Sequence, residues 1–213
     1  MKRLALAAAA ALAVVGQPAR ADEAATNFVK LFSDVCIGKF GHLTSVWDWA
    51  DSQNLAPITN PQALAVFAGR PNKDGKLTSF AGGGVPGSGQ AWAVPDPAGR
   101  FVIATRLDPE SCVAWAQKAD PGEVDAAYAK LVAQAAGPGI EVKLADDRNV
   151  NIPGGTVHIR VYHVWSGSAL NSYALVAATV SRAGGPFQAM LETQRLVERD
   201  DVINPFIPLQ PPS

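Results

Sequence analysis

Hydrophobic residues recur with a helical period in the first third of the chain. Between residues 25 and 40 they follow the i, i+3, i+4, i+7 spacing of a helix with one buried face, formed by Phe28, Leu31, Phe32, Val35, Cys36 and Phe40. A second helix is indicated in 43–55. A third is indicated in 59–69, where Asn60 suits the N-cap and Pro61 the first helical position. The pattern therefore predicts a helical N-terminal third.

After a glycine-rich stretch, the spacing of hydrophobic residues changes from that of helices to that of strands. Residues 70–90 show no hydrophobic period and carry five glycines between Gly82 and Gly89, which is typical of a long loop. Beyond it, a helix is predicted in 120–137, with Asp120 as its cap. Short apolar runs bounded by turn residues predict strands at 90–95, 100–107, 111–117, 140–145, 156–165, 172–182 and 187–197. A helical period is an alternative for the last of these segments.

This order of elements predicts an α+β domain. The N-terminal helices are expected to pack on one face of a mainly antiparallel sheet of about seven strands, with one helix inserted after the third strand. The chain passes from the strand at 111–117 through that helix to the strand at 140–145. Such a strand–helix–strand connection is also compatible with one parallel pair of strands.

The N-terminus has the composition of a secretory signal peptide. Lys2 and Arg3 precede an apolar run, and Ala19-Arg20-Ala21 forms an A-x-A cleavage site. The run is about a dozen residues long, too short for the roughly 20 that a membrane-spanning helix needs. We therefore expect a signal peptide over 1–21, cleaved after Ala21, a single domain over 22–203, and a proline-rich tail over 204–213. The expected location is the periplasm or the cell exterior.

Composition narrows the class of partner. The formal net charge is −1 and the pI is about 6.3, which argues against nucleic acid and anionic membranes, since both require clustered Lys and Arg. Hydrophobic residues make up 48% of the chain and charged residues 17%, a balance that favours a packed domain over disorder. No later stretch of the chain is apolar for long enough to span a membrane.

The two cysteines are expected to form a disulfide. Cys36 lies on the apolar face of the first predicted helix, and Cys112 alternates with Ala114 and Ala116 on one face of a predicted strand. The small alanines leave room for a closely packed helix. An exported chain meets an oxidising compartment, where paired cysteines are the rule. The alternative, redox catalysis, usually employs C-x-x-C, which the sequence lacks.

The histidines offer one candidate polar cluster. His158 shares a strand face with Arg160 and Tyr162, whereas His163 falls on the opposite, apolar face. The two histidines therefore cannot chelate one metal ion, and no metal site is predicted. We expect His158 to lie at the surface, where the trio His158, Arg160 and Tyr162 either lines a ligand groove or faces water.

Other motifs fall short of known catalytic patterns. The glycines of 82–89 lack the Lys and the following helix of a phosphate-binding loop, and Ser166 lacks the first glycine of a nucleophile elbow. Asp146 and Asp147 are adjacent, so their side chains should diverge in a solvated turn. The sequence accordingly predicts no cofactor and no catalytic residue.

Several segments resemble a family of uncharacterised exported proteobacterial proteins. They are W-A-V-P at 92–95, F-V-I-A-T-R at 101–106, S-C-V-A-W-A at 111–116 and the D-P-x-E-V start of the helix at 120. The resemblance is strongest from Trp92 to Leu131 and extends to the Cys-bearing helix upstream. It implies a periplasmic location and a paired cysteine, and it implies no catalytic residue.

Three functions remain open at this point. The favoured hypothesis is a non-enzymatic binding or interaction domain that recognises a small molecule, an envelope component or a protein. A cell-envelope hydrolase is the first alternative, with a site assembled from distant residues such as Asp147, His158 and Arg160. The second alternative is an inhibitor of a secreted enzyme that presents the 70–90 loop.

Overall fold

The fold was analysed in a computed structural model. It describes residues 19–60, 70–71, 77–78, 89–107, 110–152, 155–167, 172–181 and 187–196. Its helices are α1 (Ala19–Leu31), a π-helical segment (Phe32–Ile37), α2 (Thr44–Ser52) and α3 (Pro121–Ala135). Its strands are β1 (Arg70–Pro71), β2 (Leu77–Thr78), β3 (Gly89–Pro95), β4 (Arg100–Leu107), β5 (Glu110–Ala116), β6 (Glu141–Ile152), β7 (Gly155–Trp165), β8 (Tyr173–Val180) and β9 (Ala189–Arg195).

Seven of these strands form one sheet in the order β3-β4-β5-β9-β8-β7-β6. Every neighbouring pair is antiparallel. The predicted α+β class, the seven strands and the helix after the third strand of the sheet are confirmed. The parallel pair left open by the sequence is absent from this sheet, because α3 carries the chain from β5 at its centre to β6 at its far edge.

The strand assigned to the last apolar segment is also confirmed. Ala189–Arg195 is β9, inserted between β5 and β8, rather than a helix. The predicted strand at 140–145 is longer than expected, since β6 runs to Ile152 and includes Asp146 and Asp147. The turn predicted at those two residues is therefore wrong.

Most of the predicted loop at 70–90 lies outside the described residues, as do residues 61–69 of the helix predicted at 59–69, the tail at 204–213 and the first 18 residues of the predicted signal peptide. Within the segment predicted as a loop, β1 and β2 pair with each other. At the N-terminus, α1 begins at Ala19, two residues before the predicted cleavage site, and continues past it.

The helices cover one face of the sheet, called here the helix face. Phe28 of α1 packs against Phe101 of β4 with ring centroids 5.5 Å apart, and α1 also contacts α3. The inner side of α3 is formed by Val124, Tyr128 and Val132. Burial of these aromatic and branched side chains supplies the main stabilisation of the helical layer.

The disulfide joins this layer to the centre of the sheet. Cys36 lies in the π-helical segment and is bonded to Cys112 of β5, with their Cα atoms 5.2 Å apart and both residues fully buried. At the end of the segment the Gly38 N–H donates to the Ser33 carbonyl, and a Cβ on Gly38 would lie 2.8 Å from the Asp34 carbonyl oxygen. Glycine is therefore required where this wide turn closes. The predicted pairing of the cysteines is confirmed.

The opposite face of the sheet, called here the second face, is also buried. It carries an apolar cluster of Val113, Trp115, Val157, Ile159, Val161, Val176, Ala178 and Met190. Strands β5 and β8 consequently read as continuous apolar runs rather than as alternating patterns. The inner strands of this sheet are therefore buried on both sides, whereas the edge strand β6 is largely exposed.

Candidate functional site

A histidine held between two carboxylates lies where α3 meets the edge of the sheet. The Nδ1 atom of His158 is 2.8 Å from Oδ2 of Asp125, and its Nε2 atom is 2.7 Å from Oδ1 of Asp147. Arg160 Nε lies 3.3 Å from the other oxygen of Asp147, and Thr179 Oγ1 donates to Asp125 Oδ2 at 3.2 Å. We call these five residues the His158 cluster.

The cluster draws on four elements because of the strand register. His158 and Arg160 are on β7, opposite Thr179 and Ala177 of β8. On the other side, β6 contains a bulge between Leu144 and Asp146, after which Asp147 stands opposite Arg160. In an unbulged strand Leu144 and Asp147 would face opposite sides, so the bulge turns Asp147 onto the helix face.

This arrangement corrects the position expected for His158. The sequence placed it at the surface, whereas its side chain is 22% exposed and is covered by Asp125 from α3. Arg160 is 18% exposed, and Tyr162 packs on the buried Tyr128 with ring centroids 6.1 Å apart. The three residues do share one face as predicted, but that face is the one the helices cover.

The carboxylates govern the protonation of His158. Burial lowers the pKa of the imidazole, but hydrogen bonds to Asp125 and Asp147 outweigh it, so the pKa is raised above 6.5. The hydrogen bond from His158 lowers the pKa of Asp147 below 3.8, even though burial acts in the opposite direction. The cluster therefore favours an imidazolium between two carboxylates.

That state makes His158 a poor general base. Both ring nitrogens already contact carboxylates, and across the described residues no hydroxyl or thiol is hydrogen bonded to the ring. The two carboxylates also lie on opposite sides of the imidazole and cannot converge on one ion. In the described part of the chain no group of three His, Cys, Asp or Glu side chains is placed to hold a metal.

The other candidate residues lie apart from this cluster. Asp146 diverges from Asp147, as predicted, and pairs with Arg148 at 3.1 Å. His163 lies on the second face with its ring 5.5 Å from that of Trp165, and burial together with Lys143 lowers its pKa below 6.5. His42 is exposed near the start of α2.

A second polar group escaped the sequence analysis. Glu192 of β9 is 1% exposed on the second face, and its Oε1 atom lies 3.7 Å from Nη2 of Arg106 on β4. The two residues are far apart in the chain, so only the strand order β4-β5-β9 brings them together. A buried pair of this kind is a structural element by default.

A depression lies at the end of the sheet where β3 turns into β4, and we call it the Arg100 depression. It consists of two open, overlapping hollows of about 800 and 830 Å³ that share Asp96, Gly99, Arg100 and Gln117. Such volumes fall within the roughly 300–1,000 Å³ of small-molecule sites. Neither hollow includes His158, Arg160 or Tyr162, so the groove predicted along those residues stays a prediction.

The walls of the depression differ in character. The larger hollow is mainly apolar and is lined by Leu55, Val94, Phe101 and Phe187 among others. The smaller hollow is more polar and includes Lys118, Asp120 and Pro121, which lead into α3. A Cβ on Gly99 would lie 2.8 Å from Cε1 of Phe101, so a glycine is needed for the turn to approach that ring. No motif in the sequence signals this site, because loops from four parts of the chain build it.

Comparisons with protein-family models, with curated proteins and with solved structures found no match. The residues of this chain and their geometry therefore carry the functional argument.

Proposed function

We propose that this chain is an exported, disulfide-linked binding domain, and that the Arg100 depression is where it holds a small amphipathic ligand. The observation that carries the proposal is the pairing of an apolar hollow with a polar one around Arg100. Ligand sites combine apolar walls with a few polar groups that fix orientation, and both are present here.

The charges around the depression favour an acidic ligand. Asp96 already accepts hydrogen bonds from the Asn27 side chain and the Ala98 N–H, and Asp120 caps α3 by accepting from the Glu123 N–H. Arg100 and Lys118 are exposed, and no ion pair within the described residues engages them. Both cations are therefore available to a carboxylate, sulfonate or phosphate group.

The His158 cluster gives little support to a hydrolase. Asp147, His158 and Arg160 do converge, as that alternative requires, but they converge on one another. A hydrolase that uses a histidine as its base needs a free ring nitrogen next to a nucleophile or an activated water. We assign the cluster a structural role, and binding remains the favoured function.

Export is supported by the N-terminal sequence and by the disulfide. Disulfides persist in oxidising compartments, and the bond between Cys36 and Cys112 suits the periplasm or the cell exterior. None of the described helices is both long and apolar enough to cross a membrane. Expression of the full chain in a Gram-negative host tests this part: we expect a processed protein that begins at Asp22. A cytoplasmic, unprocessed product would contradict it.

The ligand site can be tested with 1-anilinonaphthalene-8-sulfonate, an aromatic sulfonate that matches both halves of the depression. We expect saturable binding to the folded protein, weakened about tenfold or more in Arg100→Gln and Lys118→Gln, because each loses a charge-assisted hydrogen bond. Lys130→Gln removes an exposed cation from α3 and serves as the matched control. Equal affinity in all four proteins would contradict the site.

A further inference from the structure

The polar side of α3 meets the edge of the sheet through Asp125, which contacts His158. We propose that Asp125, His158 and Asp147 form a pH-sensitive latch, closed when His158 is protonated, that releases α3 from the β6–β7 hairpin as the pH rises. The latch spans three elements, since Asp125 is on α3, Asp147 on β6 and His158 on β7.

The geometry makes the latch depend on the proton. An imidazolium has two N–H donors, and here each faces a carboxylate oxygen at 2.7–2.8 Å. A neutral imidazole has a single N–H donor, so it can satisfy one carboxylate and must turn a lone pair toward the other. Deprotonation therefore replaces one charge-assisted hydrogen bond with a repulsive contact.

The charged groups around His158 are two carboxylates and one guanidinium. From β6 and α3 it faces Asp147 and Asp125, which favour the imidazolium, while Arg160 beside it on β7 opposes that charge. Strand β8 contributes the Thr179 hydroxyl, which binds Asp125. The buried Tyr128 remains neutral, because burial raises its pKa well above 10.0. With His158 protonated, the two acids and two bases balance.

Opening of the latch is expected to be local. Val124, Tyr128 and Val132 keep α3 on its apolar side, and these contacts do not titrate near neutral pH. Opening therefore separates the polar side of α3 from the edge strand β6 and leaves the apolar side of α3 packed on the sheet. If the proposed ligand site is correct, release also reaches that site, since Asp120 and Pro121 at the start of α3 line the Arg100 depression.

The direction of the pH effect follows from linkage. Because the folded protein raises the pKa of His158, the contribution is complete below the unfolded value of about 6.5 and is lost as the pH rises through the folded pKa. Each pH unit between the two values changes the closed-to-open ratio tenfold.

Hydrogen exchange of the full-length protein at pH 5.5 and 8.5 tests the latch, with rates corrected for the intrinsic pH dependence of exchange. We expect α3 and β6 to lose protection at the higher pH, while β8, which lies inside the sheet, keeps its protection. In His158→Gln the difference should disappear, and His163→Gln on the opposite face of β7 should behave as the parent protein.

Two results would overturn the proposal. One is an unchanged loss of α3 protection in His158→Gln, and the other is an equal loss of protection in α3 and β8, which indicates global rather than local opening. Binding of 1-anilinonaphthalene-8-sulfonate plays no part in this measurement, so failure of the ligand site and failure of the latch are separate outcomes.

Discussion

Two helical segments are attached to the same sheet face by different chemistry. The first, α1 with the π-helical segment that follows it, is joined to the centre of the sheet through the Cys36–Cys112 bond and the contact of Phe28 with Phe101. The second, α3, adds the polar contacts of Asp125 and His158 near the sheet edge to its apolar side. The central attachment is covalent and dry, whereas the edge attachment includes ionisable groups in partial contact with water.

The difference indicates which conditions each attachment resists. A disulfide surrounded by apolar residues does not respond to pH but is lost on reduction. The Asp125–His158–Asp147 contacts do not respond to reductants but change with protonation. The molecule therefore combines an attachment at the centre of the sheet that depends on oxidation with one at the edge that depends on protonation.

Removal of the disulfide should have the largest effect on stability. In Cys36→Ala/Cys112→Ala we expect the free energy of unfolding to fall by roughly 2–5 kcal/mol, because the crosslink closes a loop with a sequence separation of 76. Urea unfolding measures the loss. Reductant should destabilise the parent protein and leave the double variant unchanged, and an effect below about 1 kcal/mol would contradict a stabilising role.

Removing the Asp125 carboxylate, the more buried of the two that contact His158, should have the next largest effect on the free energy of unfolding. Asp125→Asn at pH 6 is expected to cost about 1.5–3 kcal/mol, since a charged hydrogen bond to His158 is lost and the acceptor of Thr179 is weakened. Asp147→Asn should cost less, because Asp147 is 42% exposed and Asp125 only 20%. Urea unfolding of both variants checks the order; the reverse order would refute the assignment of Asp125 as the inner partner.

An acid titration of stability tests the contribution of Asp147, for which we expect a smaller effect. The folded protein lowers the pKa of Asp147 below 3.8, so its contribution is present above that value and is lost as the pH falls through the folded pKa. We expect Asp147→Asn to lose less stability than the parent protein between pH 5 and pH 2.5. Asp146→Asn, one residue away on the opposite face of β6, is the control, and identical acid profiles for the two variants would contradict the prediction.

Much of this organisation could be predicted from the sequence, because it rests on local patterns. Alternation in 111–117 and the helical period of 25–40 are sufficient to bring Cys112 and Cys36 together. The shared face of His158, Arg160 and Tyr162 follows from the same alternation. The two strands are regular, whereas the predicted helix is an α-helix only as far as Leu31. The π-helical segment that follows it still keeps Cys36 on the buried side.

The features that the sequence patterns did not predict depend on contacts between distant parts of the chain. Alternation along β7 predicts one apolar face, but the inner strands are buried on both faces, so alternation alone does not show which face the helices cover. Asp147 was expected in a solvated turn, whereas β6 continues past the bulge after Leu144 and places it opposite Arg160. Asp125 was missed because it faces β7 only through the packing of α3, and the Arg100 depression because its walls come from separate loops.

The smallest expected change in the free energy of unfolding comes from removing the buried hydroxyl of Tyr128 on α3. Tyr128 is fully buried, and across the described residues its OH group has no hydrogen-bond partner. A buried polar group without a partner opposes folding, so Tyr128→Phe should leave the free energy of unfolding unchanged or raise it by up to about 1 kcal/mol. Urea unfolding at pH 6 measures the difference. A loss greater than about 1 kcal/mol would show that the hydroxyl is satisfied in solution and that the edge attachment extends inward from Asp125 to Tyr128. An unchanged or raised stability would confine its polar part to the His158 cluster and leave the rest of α3 held by apolar packing alone.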